Sequence, residues 1–199
     1  MTRPRLARRK ASAKARSGPA VQVSPVTRES WGDLERLFEA RGGPHYCWCM
    51  PYRLRSSERP SGAERRACLR KLVDEAIPVG VVAYAGDEPV GWCSIAPRET
   101  YVRLERSHVM PRKTPLAAPT WTVLCFFIAR PHRKHGVARA LLEGAVAYAR
   151  AEGAEVVEGY PFDTAGVTAT HHGHSSLFRA AGFRQDPGDR RWSLRLGHD

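Results

Sequence analysis

Hydrophobic positions recur every second residue in some windows of this chain and every third or fourth in others, and the alternation of the two patterns outlines an α/β domain. Val21 to Val26 (VQVSPV) alternates and predicts a first strand. Ser30-Trp31-Gly32-Asp33 reads as a capping box opening a helix with Leu34, Leu37 and Phe38 at helical spacing. A second capping box, Ser61-Gly62-Ala63-Glu64, opens a helix with Cys68, Leu69, Leu72, Val73 and Ala76 along one side. Val79 to Ala85 and Val90 to Ala96 flank the turn residues Gly86-Asp87-Glu88-Pro89 and predict a hairpin. Pro97 to Leu116 is irregular and basic, with a short helix expected near Tyr101 to Arg106. Trp121 to Ile128 (WTVLCFFI) is continuously apolar, as a central strand buried on both faces must be.

Val137, Ala140, Leu141, Gly144, Ala145 and Tyr148 then form one helix face, with Gly153 at its end. Val156 to Tyr160 predicts another strand, and Ser175 to Ala181 a short helix. Phe183–Gln185 and Arg191–Leu196 flank Asp186-Pro187-Gly188-Asp189 and predict a closing hairpin. The strand–helix–strand unit in the middle implies one parallel crossover within a mixed, mostly antiparallel sheet.

Charge changes the picture at the N-terminus. The formal net charge is +12, yet residues 1–20 hold Arg3, Arg5, Arg8, Arg9, Lys10, Lys14 and Arg16 and no acid. That segment has too little apolar surface to order itself, so residues 1–20 are expected to be a disordered basic tail with weak affinity for polyanions, and residues 21–199 the folded domain. The remainder is only mildly basic, which makes a nucleic-acid-associated role a subsidiary reading. No apolar run is long enough for a transmembrane helix. Five cysteines at irregular spacing, Cys47, Cys49, Cys68, Cys93 and Cys125, do not read as a disulfide framework and suit a reducing cytoplasm. Neither Cys47-x-Cys49 nor His171, His172 and His174 has the partners a zinc site needs, and no metal is expected.

Between the apolar strand and the following helix lies Ile128-Ala129-Arg130-Pro131-His132-Arg133-Lys134-His135-Gly136-Val137-Ala138. A helix N-terminus with unpaired amides, small residues and flanking cations can hold a pyrophosphate. The stretch is neither a dinucleotide fingerprint nor a Walker loop, since the required glycines are missing.

Arg133-Lys134-His135-Gly136-Val137-Ala138 fits R/Q-x-x-G-x-G/A and resembles the acyl-CoA signature of the GNAT superfamily of N-acyltransferases. Phe126-Phe127-Ile128 before it and Leu177-Phe178-x-x-x-Gly182-Phe183 after it are similar to the same superfamily in the same order, over residues 21–196. "CWCMPYR", "GWCSIAPRETYVRL" and "VEGYPFD" also resemble a bacterial subgroup mostly without assigned substrates. The resemblance implies a GNAT fold: an α/β (α+β) domain with a sheet of about seven strands and helices on both faces. It implies a cytoplasmic N-acetyltransferase, monomeric or homodimeric, acting on a small-molecule or peptide amine with acetyl-CoA or another acyl-CoA as co-substrate. Backbone groups near Ile128 and Ala129 would pair with the pantetheine arm, and amides of Arg133, Lys134, His135, Gly136, Val137 and Ala138 would hold the pyrophosphate.

Two departures matter for mechanism. The superfamily often places a glutamate on the strand before the cofactor loop, and Thr120 to Ile128 has no carboxylate. It often places a tyrosine where this chain has Phe178. Glu158 and Tyr160, two apart on one strand and so on one face, are the replacement candidates for base and acid. Loss of the proton through water, with positioning supplying the rate, is the other reading. Trp48, Tyr52 and Trp92 (with Met50) are candidates for an acceptor pocket, and Arg53 and Arg98 for anchoring an acidic acceptor group; core aromatics and surface arginines are the alternative. A CoA-binding module without turnover also remains open.

Overall fold

The computed structural model describes residues 21–55, 57–104, 107, 110, 118–163 and 170–197. The expected basic tail, residues 1–20, lies outside them. The elements run β1 (Val21–Pro25), α1 (Trp31–Glu39), α2 (Gly62–Asp74), β2 (Val81–Ala85), β3 (Glu88–Pro97), β4 (Thr120–Ile128), α3 (Val137–Ala151), β5 (Val156–Gly159), α4 (Ser175–Ala180), β6 (Arg184–Gln185) and β7 (Trp192–Arg195). They build one seven-stranded sheet in the order β1-β2-β3-β4-β5-β7-β6. Only β4 and β5 pair in parallel, joined by the α3 crossover; every other neighbouring pair is antiparallel. No helix among the described residues is long and apolar enough to cross a membrane.

The apolar run of β4 is buried on both faces. On one face Val123 and Phe126 pack with Val137, Leu141, Leu142 and Ala145 of α3 and Phe178 of α4. On the other, Cys125 and Phe127 join a core built by Leu34, Leu37 and Phe38 of α1, Leu69 and Val73 of α2, Trp48 and Trp92. A smaller cluster on that second face holds Ala96, Tyr101, Leu104, Leu124 and Tyr160.

Ser61 caps α2 as expected: its hydroxyl accepts from the Glu64 N–H, while the Glu64 carboxylate accepts from the Ser61 N–H at 2.6 Å. Ser30 does not cap α1. Its hydroxyl accepts from the Thr27 N–H at 2.9 Å instead, and Asp33 is engaged by the Tyr84 hydroxyl at 2.9 Å. Aspartate is one methylene short of the reach that a reciprocal box requires, and the glutamate at the matching position of α2 supplies it. Ser61→Ala should therefore cost about 1 kcal/mol in urea unfolding, whereas Ser30→Ala should cost clearly less. The short helix expected near Tyr101 to Arg106 lies partly outside the described residues, and a 3₁₀ turn at Arg98–Thr100 precedes it.

Candidate active site

Two features of β4 create an opening in the sheet. Ser94 pairs with Cys125 but Ile95 pairs with Val123, so Leu124 is an extra residue, a β-bulge. The bulge turns both Leu124 and Cys125 toward the α1 face. At the same level the parallel ladder to β5 stops, its last partners being Val123 and Gly159. Beyond that point the β5 side of β4 has no strand neighbour among the described residues.

The register shows which groups face the opening. The Ala129 N–H donates to Val90 O at 2.9 Å, and Gly91 lies opposite Ile128 and Cys93 opposite Phe126. In an antiparallel ladder bonded and non-bonded pairs alternate, so the N–H groups of Ile128 and Phe126 point away from β3, toward the side β5 has left. The Ala129 amide is spent on β3, and the Ile128 carbonyl accepts from Arg133 Nε at 2.9 Å.

After a 3₁₀ turn at Arg130–His132 the loop enters α3 through two left-handed residues, Lys134 at φ +64° and Gly136 at φ +83°. Gly136 is the N-cap and carries no side chain to bond the first turn. The N–H groups of Lys134 to Ala138 have no acceptor among the described residues; the first amides satisfied are those of Arg139 and Ala140, both on Gly136 O. Unpaired amides, left-handed turns and the positive end of a fifteen-residue helix together form an anion-binding concavity. Arg133, Lys134, His135 and Gly136 are all exposed around it. Gly136 is thus required by its backbone angle, a reason the sequence motif alone does not supply.

Glu158 and Tyr160 are brought together, but inside the protein. Glu158 has 0% exposure, and its Oε1 accepts from Arg98 Nη1 at 2.7 Å and from the Thr122 hydroxyl at 2.9 Å. Its other oxygen, Oε2, lies 3.8 Å from Arg191 Nη1, and Arg191 also pairs with Asp186. Arg98 Nη1 donates to the Tyr160 hydroxyl at 3.1 Å as well. Burial, with the Glu158 carboxylate adding to it, raises the Tyr160 phenol well above its ordinary range. Thr122 and Glu158 are direct register partners across the β4–β5 ladder, so a carboxylate does reach the β4 strand, from its neighbour.

The acceptor-side expectations divide. Trp92 has 0% exposure and donates from Nε1 to Cys49 Sγ at 3.1 Å, so it lines no open pocket. Arg53 and Arg98 are not available as anchors. Arg53 is spent on Thr100, Val79 O and the Tyr101 hydroxyl and lies 4.3 Å over the Tyr101 ring. Arg98 is spent on Glu158 and Tyr160. Guanidinium groups that have lost water must find acceptors, and these found most of theirs within the chain, Arg53 Nε being buried with none among the described residues. Trp48 packs against Trp31 and Phe38, held there by left-handed backbone at Trp48 and Cys49, φ +46° and +47°. Its edge still borders a surface depression of about 580 Å³ with Glu39, His45, Tyr46 and Arg66. Met50 is core. All five cysteines are free thiols, and its hydrogen bond with Cys49 and then burial push the Cys47 thiol far up, away from the reactive thiolate.

Two contacts escaped the sequence reading. Phe178 is fully buried against Gly159, where a Cβ would come within 2.3 Å of its ring, so a phenylalanine fills the place where the resemblance expects a tyrosine. Tyr52, by contrast, reaches His172, its hydroxyl 3.2 Å from Nε2. The only advance signal of that pair was the histidine-rich loop, weighed for metal and not for proton transfer.

Residues 36–172 match the Acetyltransferase (GNAT) family. No curated protein sequence matches the chain. Among solved structures the fold is similar to an acetyltransferase from Thermus thermophilus, 19% identical with TM-score 0.50, over 90% of this chain and 99% of that one. It is similar to the Drosophila melanogaster polyamine N-acetyltransferase, 13% identical with TM-score 0.51, over 89% and 100%. It is also similar to yncA from Salmonella typhimurium, solved with acetyl-CoA, 13% identical with TM-score 0.50, over 90% and 96%. A seven-stranded sheet opened beside a bulged β4, an amide-lined loop at the head of α3 and the match over residues 36–172 lead to one assignment: the chain belongs to the GNAT acetyltransferase family.

Proposed function

We propose that this chain transfers an acyl group, acetyl by preference, from acyl-CoA directly to a primary amine in the cytoplasm. The observation that supports this best is a run of amides without acceptors among the described residues, from Phe126 and Ile128 on the open side of β4 to Lys134–Ala138 at the head of α3. That run fits the parts of acyl-CoA in order. The amides of Lys134 to Ala138 with Gly136 at their centre would take the pyrophosphate, the Arg133 N–H being spent on Arg130 O, and the Arg133, Lys134 and His135 side chains would add charge. Of the backbone groups of Ile128 and Ala129, the Ile128 N–H is the one that would pair with the amide-bearing pantetheine arm, since the Ala129 N–H donates to Val90 O and the Ala129 carbonyl accepts from the His132 N–H. The Phe126 N–H would then stand beside the thioester oxygen as the donor for a developing oxyanion.

The thioester supplies an activated acyl carbon. The protein's part is to hold it beside the bulge, exclude water and orient the amine, for which positioning alone is worth several kcal/mol. Trp48 and Tyr52 are the acceptor-side residues we retain. Glu158 and Tyr160 are assigned to holding the β4–β5 junction and not to proton transfer, since Arg98 already occupies both.

That same occupancy keeps a second reading in play, a CoA-binding module without turnover. Acetyl-CoA offered with a panel of primary amines separates the two. Acceptor-dependent release of free thiol is the expected result. Tight CoA binding with no acceptor-dependent thiol across the panel would instead establish the module.

A further inference from the structure

The superfamily resemblance leaves this chain without an accessible acid or base: Phe178 is apolar, and Glu158 is 0% exposed. The opening beside β4 is nonetheless edged by a polar pair. The 3₁₀ turn Thr170–His172 packs on β4, and the Phe162 N–H donates to Gly173 O at 3.1 Å, which ties that turn to the chain leaving β5. His172 is 6% exposed and lies against the Phe162 ring at 5.2 Å and the His171 ring at 4.1 Å. Its Nδ1 is buried without a hydrogen-bond partner and its Nε2 meets the Tyr52 hydroxyl. Tyr52 comes from the aromatic segment before α2 and is only half-buried.

We infer that the Tyr52 hydroxyl accepts the proton lost by the acceptor amine, and that His172 is the positioning residue that orients Tyr52 and relieves it of its own proton. This rests on the acyltransferase reading above. In the step, the amine lone pair forms the new nitrogen–carbon bond. The carbon–sulfur bond breaks on collapse of the intermediate, and its electron pair leaves with sulfur as the thiolate. The proton from nitrogen passes to Tyr52 Oη as the phenolic proton passes to His172 Nε2, and the imidazolium then returns a proton to solvent. No oxidant or further reactant is needed.

The electrostatics leave both groups in the protonation states from which the relay starts. Burial, with His171 adding to it, holds His172 down at about 4, so the ring is uncharged at neutral pH and Nε2 can accept. The Leu124 backbone works the other way and favours the protonated ring. Burial raises the Tyr52 phenol, with the neighbouring Cys125 adding to it and Arg103 opposing, so the hydroxyl keeps its own proton until the amine supplies another. Tyr52 packs on the cluster that holds Leu124, and His172 lies against the Leu124 backbone, so the pair sits at the bulge, one residue from the last β5 partner of β4.

The test uses the full chain, acetyl-CoA and the best amine of the panel. Tyr52→Phe should lower kcat by about 100-fold, the usual range for a lost proton-transfer group, while the KM for acetyl-CoA, the affinity for CoA and the melting temperature stay at wild-type values. His172→Ala should fall in kcat likewise, and His172→Gln, whose amide oxygen can accept from Tyr52, should recover part of it. The double variant Tyr52→Phe/His172→Ala should be no slower than either single one, as expected of groups acting in series. Full kcat in Tyr52→Phe, or a loss carried wholly by KM or by unfolding, would overturn the inference while leaving the acyltransferase reading intact. A wild-type chain with no acceptor-dependent thiol release would overturn both.

Discussion

Gly136→Asp is expected to abolish CoA binding without unfolding the protein. The backbone at this position has φ +83°, and after glycine the residues that best tolerate that region are asparagine and aspartate. A Cβ at this position meets nothing within 4 Å among the described residues, so the variant should fold. What changes is the charge at the mouth of the anion site. A carboxylate about 4 Å from a phosphate charge, at an effective dielectric near 20, opposes binding by about 4 kcal/mol, or nearly three decades in Kd. Gly136→Asn separates charge from shape: it should retain most of the affinity that Asp loses. Lys134→Ala removes one exposed cation and should weaken binding by about fivefold, the effect of about 1 kcal/mol. Calorimetric titration with CoA reads all three. Equal losses for Gly136→Asp and Lys134→Ala would show that net charge, and not the amide geometry, makes the site.

The contrast between those variants turns on what a sequence can display. Local signals were legible. The box at Ser61 formed because Glu64 can reach back, and Trp121 to Ile128 became the strand buried on both faces. The loop from Arg133 to Ala138 could be read because helix ends leave amides unpaired wherever they occur. The bulge at Leu124 could not. A strand that is apolar on both faces has no alternation to break, so an inserted residue leaves no trace in the pattern. Long-range polar pairing was equally hidden. Arg98 and Glu158 are 60 residues apart and Tyr52 and His172 120 apart, and nothing local distinguishes a surface arginine from one that is to be buried against a carboxylate. For that reason Arg53 and Arg98 read as anchors for a ligand, and proved to be anchors for the fold.

The second large effect follows from that burial. Arg98→Met should cost about 3–5 kcal/mol in urea unfolding at neutral pH, with the slope of the transition unchanged. Glu158 has 0% exposure, and its Oε1 would lose the 2.7 Å bond from Arg98 and keep only the Thr122 hydroxyl. Arg191 lies farther off at 3.8 Å and already holds Asp186, so it cannot fully replace the missing charge. Removing one partner of a buried pair leaves the other uncompensated, whereas removing both often costs little. Arg98→Met with Glu158→Leu should thus recover a large part of the loss, although Arg191 would then lack its second carboxylate. A cost under about 1 kcal/mol for Arg98→Met would mean that the pair is not dry. The same residues give a catalytic control. Glu158→Gln should lower stability yet leave the pH dependence of acyl transfer unchanged in the folded protein. If Glu158 were the base, the acidic limb of kcat/KM would move or vanish instead. The expected outcome separates the two carboxylate roles because stability and proton transfer respond to different variants. Arg98→Met strips the fold of its charge balance, and Tyr52→Phe strips the opening of its proton acceptor without touching that balance.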